Sequence, residues 1–215
     1  MKKRKIKSKI LSRLLSVVGF LLICFGFGFI CFKIYQNYSI KQLEDNSIQE
    51  FFEIKEENNS NTDNNIETKQ EVSSTPKSSY NYIAVLEIPK INVKRGLLSI
   101  DDRNNNINRN VAILKGSDMP NIENGLLVLA SHSGSASISY FRHLNKLEIS
   151  DQVYIYYQNM KYIYEITNID RQDKTGNISI SKKENETNLV LTTCDPVNKN
   201  KQVVITTKLI DKMPY

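Results

Sequence analysis

The chain has 215 residues, with 29 Lys and Arg against 23 Asp and Glu, for a formal net charge of +6. That length holds one domain of ordinary size plus extensions. Seven basic residues (Lys2, Lys3, Arg4, Lys5, Lys7, Lys9 and Arg13) crowd the first thirteen positions, and the rest of the chain sums to −1, so no basic stripe for nucleic acid runs through it.

Residues 14–32 carry no charge and lie between Arg13 and Lys33. A helix of that length spans roughly 28 Å, close to the hydrocarbon thickness of a bilayer. A cleaved signal peptide has a shorter apolar run that ends in small residues. Here the run ends Gly28-Phe29-Ile30-Cys31-Phe32, and Ile23 before Cys24 disfavours a lipoprotein signal. The reading is an uncleaved, single-pass cell-membrane anchor at 14–32. Its basic tail, 1–13, stays in the cytoplasm and the rest lies outside, by the positive-inside rule. Cys24 and Cys31 are then apolar fillers of the span, with lipidation as the alternative.

Residues 33–80 shift to Asn, Glu, Ser, Lys and Gln and read as a polar stalk or linker. A membrane-proximal helix within 42–55 is expected from Leu43, Ile48, Phe51, Phe52 and Ile54. From 81 to 215 the pattern becomes that of short strands: 82–88, 125–130, 152–157, 161–169, 188–193 and 202–210. Asn159-Met160 suggests a hairpin between two of them. Helical signal is confined to short pieces near 139–147 and 107–111. Many short strands with turns between them predict an all-β fold, an antiparallel barrel or sandwich.

The residues able to do chemistry in this part are few. Cys194 ends the run Leu189-Val190-Leu191-Thr192-Thr193 and precedes Asp195-Pro196. His132 ends Leu129-Ala130-Ser131 in the same manner, and His143 lies in the short helical piece. A half-buried structural thiol is one reading of Cys194. Ligand spacing for a metal is absent, so neither a metal nor another cofactor is expected. The remaining reading pairs a Cys nucleophile with an acid/base His.

His132 precedes Cys194 by 62 residues. Papain-like peptidases place the Cys first, and cysteine L,D-transpeptidases place it after Ser-His-Gly, so both fit poorly. Four segments in order resemble the sortase family. They are Leu86-x-Ile88-Pro89-x-Ile91, then Asn124-Gly125-Leu126-x-Val128-Leu129-Ala130-Ser131-His132, then Phe141, Leu144, Leu147 and Asp151 ahead of Val153-Tyr154-Ile155, then Leu189-x-Leu191-Thr192-Thr193-Cys194. The resemblance implies an eight-stranded closed antiparallel β-barrel over 81–215. It implies a cysteine transpeptidase with Cys194 as thioester-forming nucleophile and His132 as general acid/base. Its expected partners are secreted proteins with an LPxTG-like sorting signal and an amino group of a cell-wall precursor or pilin-like protein. The family's Arg, which follows the Cys at the head of the next strand, is missing. Gln202 or Lys201 stands there, and Arg95, Arg142 and Arg171 are the other candidates. An anchored peptide- or wall-binding domain and a cysteine endopeptidase using water are the rival functions.

Overall fold

The structure is a computed structural model that describes residues 2–60, 80–180 and 185–215. The Asn- and Ser-rich linker at 61–79 lies outside the described residues. The chain divides into two units, Met1–Leu43 and Glu44–Tyr215. Helix α1 spans Lys2–Ser60, and the boundary between the units falls within it. In the first unit Phe20, Leu22, Ile23, Phe25 and Phe27 are all exposed, on a helix long and apolar enough to cross a membrane. This fits the anchor expected at 14–32.

The second unit is built on eight strands: β1 (Ala84–Ile88), β2 (Val93–Leu97), β3 (Ala112–Ile113), β4 (Leu126–Ala130), β5 (Gln152–Tyr157), β6 (Met160–Asp173), β7 (Asn188–Cys194) and β8 (Lys201–Pro214). Their order in the sheet is β2-β1-β5-β6-β8-β7-β4-β3, a nearly closed barrel. The all-β barrel implied by the resemblance is present. One pair departs from the antiparallel expectation, because β4 and β7 run parallel. A parallel pair needs a long crossover connection, and here β5 and β6 lie between β4 and β7 in the chain.

Strand β7 reads as a continuous apolar run because both its faces are covered. Leu189 and Leu191 enter the main core with Leu127, Leu129, Val203 and Ile205. Val190 faces the other way, against Val128 and Val204, with Ile178 and Ile180 packed on them. The β5–β6 hairpin turns on Gln158 (φ 48°) and Asn159 (φ 61°). Two positive-φ residues in a two-residue loop make the type I′ geometry that matches strand twist. Met160, expected in the turn, pairs with Tyr157 instead.

Two strands escaped the periodicity. The β2 strand carries Lys94 and Arg95, charges that suit an edge but hide an alternating pattern. The β3 strand has only two residues. The piece near 139–147 is turns and a 3₁₀ segment, Leu144–Lys146. Residues 107–111 form turns rather than a helix. Asn side chains there bond the backbone, as where Asn108 N–H donates to Asn106 Oδ1 at 2.9 Å, and so compete with helical pairing.

Part of the expected 33–80 stalk belongs to the folded unit. Glu44, Ser47, Ile48 and Phe51 are buried, and their i, i+3, i+4, i+7 spacing places them on one helical face. Ile48 and Phe51 pack with Tyr82, Val85 and Leu98, and Glu44 pairs with Arg95. Tyr82 can lie across β2 only because residue 96 is glycine: a Cβ there would fall 2.2 Å from its ring. The helix expected within 42–55 is present, and Ile48 and Phe51, on which that expectation rested, lie on this face; what the stalk reading lacked is its docking against Tyr82, Val85 and Leu98. Replacing Phe51 with Ala is expected to destabilise the domain by about 3 kcal/mol, the usual cost of emptying a buried Phe site. Denaturant unfolding of the folded unit measures this. An unchanged midpoint would mean that the helical face is not part of the cooperative core.

Candidate active site

The parallel pairing of β4 and β7 runs from Leu126↔Asn188 to Ala130↔Thr192. Parallel strands end on the same side, so the residues leaving them emerge together. Beyond the last pair, Ser131 N–H donates to Thr192 O at 3.3 Å. The Thr193 hydroxyl donates to Ser131 O at 2.7 Å. His132 and Cys194 are the next residues of the two chains. Each stands two positions past the Ala130–Thr192 pair, and each is half-buried. Cys194 is a free thiol.

The imidazole has a partner that sequence reading missed. His132 Nε2 lies 3.0 Å from Asn108 Oδ1. Asn108 belongs to an asparagine-rich segment braced by its own side chains. Asn105 donates to Ile113 O at 2.8 Å and accepts from Ile113 N–H at 2.8 Å, and Arg109 Nη1 donates to Asn104 Oδ1 at 2.6 Å. The density of Asn across 104–110 was the available signal. On the other side, Phe141 N–H donates to His132 O at 3.1 Å. His143 stands exposed ahead of Leu144–Lys146, and the strand pairing does not lead to it.

The candidates for the third role separate by face. Cys194 pairs directly with Gln202 across β7–β8, and Gln202 pairs with Gln172 across β8–β6. Directly paired residues share a face, so Gln202 is on the thiol's side and Lys201 on the opposite one. Gln202 Nε2 donates to Asn177 O at 2.7 Å and, more weakly, to Asp173 O at 3.5 Å. It thereby fastens the segment after β6 over this face. Lys201 Nζ lies 3.4 Å from Asp173 Oδ1.

The other arginines are committed elsewhere. Arg95 bonds Glu44 and stacks on Tyr140, 3.7 Å from the ring centroid. Arg142 donates to Gly134 O and Ala136 O at 2.8 and 2.9 Å, bracing the loop after His132. Arg171 Nε donates to Asp195 Oδ2 at 3.1 Å, directly beside the cysteine in sequence. Backbone N–H groups of Val197 and Asn198, with Arg171 behind them, hold the Asp195 carboxyl below its ordinary pKa. That support for the turn is present above the usual carboxylate range and is lost as pH falls through the lowered value. Among the described residues no group of three His, Cys, Asp or Glu side chains is placed to hold a metal ion.

An amide oxygen only accepts, so the ring nitrogen facing Asn108 carries the proton. The neutral His132 ring is therefore expected as the Nε2–H tautomer, with Nδ1 unprotonated. Imidazole ¹⁵N shifts of the wild type and of Asn108→Ala test this. A wild-type ring protonated on Nδ1, or a tautomer mixture that Asn108→Ala leaves unchanged, would contradict it.

A Sortase domain family model matches residues 86–210. Sortase D of Bacillus subtilis (strain 168) is 32% identical over 112 residues, covering 52% of this chain and 54% of that protein. The match thus spans about half the length of that relative. Sortase C of Streptococcus pneumoniae has a similar fold, with a TM-score of 0.54 at 21% identity over 62% of this chain and 72% of its own. A Clostridium perfringens sortase D5 transpeptidase gives a TM-score of 0.52 at 23% identity over 61% and 80%. The matched family segment runs from within β1 into β8 and includes both His132 and Cys194. The chain belongs to the sortase family.

Proposed function

We propose that this chain is a membrane-anchored cysteine transpeptidase that cleaves a sorting signal in secreted proteins and passes the acyl group to an amine. The observation that carries the reading is the β4–β7 register, which leads His132 and Cys194 out of adjacent parallel strands at one end of the barrel. In the first half-reaction His132 takes the Cys194 proton, and the thiolate attacks the scissile carbonyl carbon. The C–N bond breaks, the imidazolium gives its proton to the departing amine, and a Cys194 thioester remains. In the second, an acceptor amine attacks the thioester carbonyl and gives its proton to His132, the C–S bond breaks, and His132 returns that proton to the departing thiolate, restoring the Cys194 thiol. Splitting amide exchange this way replaces one difficult step with two easier ones.

An LPxTG-like sorting signal is the substrate class. A sortase C of Clostridium perfringens is known with the C-terminal cell wall sorting motif, which supports this choice. The acceptor is the amino group of a cell-wall precursor or of a pilin-like protein. The anchor places the domain outside the membrane, on the surface that its substrates cross, and raises the effective concentration of both.

Gln202 takes the third role in place of the family's Arg. Its face and its ladder partner support this assignment over Lys201, and the donor it would use is the one whose bond to Asp173 O is long, at 3.5 Å, while the other stays on Asn177 O. A neutral amide stabilises a developing oxyanion less than a guanidinium does, by about 1–2 kcal/mol. That corresponds to an acylation rate roughly tenfold lower than an Arg would give.

Product analysis with an LPxTG-like peptide, with and without an added amine, tests the function. Transfer to the amine is expected, with no transfer by Cys194→Ala. Cleavage to acid alone in both cases would mark an endopeptidase, and binding without cleavage a recognition domain. In the same assay Gln202→Ala is expected to slow acylation several-fold more than Lys201→Ala. The reverse order would give the role to Lys201. On intact cells an impermeant thiol reagent should label Cys194. Labelling only after the membrane is opened would reverse the topology.

A further inference from the structure

The Asp195 carboxylate directly follows the thiol, and its side chain is 4% exposed. Its Oδ1 accepts the N–H groups of Val197 and Asn198 at 2.7 and 3.2 Å. Its Oδ2 accepts Arg171 Nε at 3.1 Å, and its own N–H donates to Lys201 O at 3.0 Å. The whole β7–β8 turn is therefore closed around one buried negative charge next to the residue that must itself become negative. A neighbouring carboxylate opposes thiolate formation, and a cation beside that carboxylate cancels the effect. In the ladder Arg171 pairs with Val203, and Val203 with Thr193, so the guanidinium lies on the face opposite Cys194 and Gln202. It approaches the turn from behind.

We infer that Arg171 is a positioning residue for the nucleophile: by binding Asp195 it fixes the Cys194 turn and neutralises the charge that would otherwise hold the thiol protonated. This rests on the reading of Cys194 as the nucleophile. It differs from the family arrangement, in which the Arg stands on the strand after the cysteine, because here the guanidinium acts through Asp195 and not on substrate. The other charged groups around the turn come from three strands, the turn itself and the segment after β6, where exposed Lys174 donates its backbone N–H to Asn200 O at 2.8 Å. His132 follows β4 and is bonded to Asn108. Asp170 and Asp173 are on β6, bonded to Gln172 and paired with Lys201 of β8 respectively. Lys199 is exposed in the turn itself. Asp195, at the other end of the Arg171 bond, is the one buried carboxylate in this group.

The test is the pH dependence of Cys194 alkylation by iodoacetamide on the full chain in detergent, read at the Cys194 peptide by mass spectrometry so that Cys24 and Cys31 do not interfere. Arg171→Gln is expected to slow alkylation at pH 7 roughly three- to tenfold and move its midpoint to higher pH, a change of up to about one pK unit. Arg171→Lys should keep most of the rate. Asp195→Asn added to Arg171→Gln should restore the rate to within about twofold of wild type. A merely structural pair gives no such rescue, since the double variant has lost both partners. If Arg171→Gln does not fold, Asp195→Asn alone decides, and its midpoint should move to lower pH. An unmoved midpoint in these variants, or a double variant no faster than Arg171→Gln, overturns the inference. Alkylation needs no substrate. A wild-type thiol that follows this pattern yet forms no acyl adduct with any sorting peptide would refute the transpeptidase reading and leave the ion pair's role intact.

Discussion

A parallel strand pair inside an otherwise antiparallel barrel is the constraint on which the site depends. Antiparallel neighbours would send the residues after β4 and β7 to opposite ends of the sheet. Parallel ones send them to the same end, and the register Ala130↔Thr192 sets them level. The bond from the Thr193 hydroxyl to Ser131 O, worth about 1 kcal/mol, fastens the two chains one residue before His132 and Cys194. Side chains alternate along a strand, so a slip of one residue in β7 would turn Cys194 away and present Thr193 in its place. Both faces of β7 guard against that slip. Leu189 and Leu191 fit the main core, and Val190 fits the second cluster with Val128 and Val204.

The same alternation divides the work around the thiol. On its own face lie Gln202 and Gln172, whose amides hold the segment after β6: Gln202 through Asn177 O and Gln172 through Ser179. On the opposite face lie Arg171 and Asp195, which hold the turn after β7. The thiol's direct ladder neighbours on this face are thus neutral amides, and the Asp170 carboxylate farther along it accepts from Gln172 Nε2 at 3.1 Å. The charged pair is kept behind the nucleophile, with the Asp195 carboxylate buried and the Arg171 guanidinium reaching it from the exposed side.

Much of this was legible from the residues because the pattern was strong where burial was strong. Strand β5 and the start of β7 fall where period-two and continuous apolar runs put them. His132 and Cys194 were legible as strand-end residues because each ends such a run. The missing pieces share one property: their signal is not local. The parallel pairing of β4 with β7 is a relation between distant segments. The contact of Asn108 with His132 depends on how the loop before β3 folds back. The short β3 and charged β2 strands are stabilised by neighbours rather than by their own composition. The helix within 42–55 was expected, but the docking of its Ile48 and Phe51 on Tyr82, Val85 and Leu98 is again a contact between distant segments.

The central claim is that the β4–β7 register builds a working nucleophile from Cys194 and His132. It is tested most directly by intact-mass spectrometry of the protein incubated with an LPxTG-like peptide in the absence of amine. The account predicts a hydroxylamine-sensitive mass increase equal to the peptide's acyl portion. That adduct should map to the fragment bearing Cys194, and His132→Ala should be unable to form it. A protein whose Cys194 alkylates readily but forms no adduct, or a His132→Ala variant that acylates as fast as wild type, would contradict it.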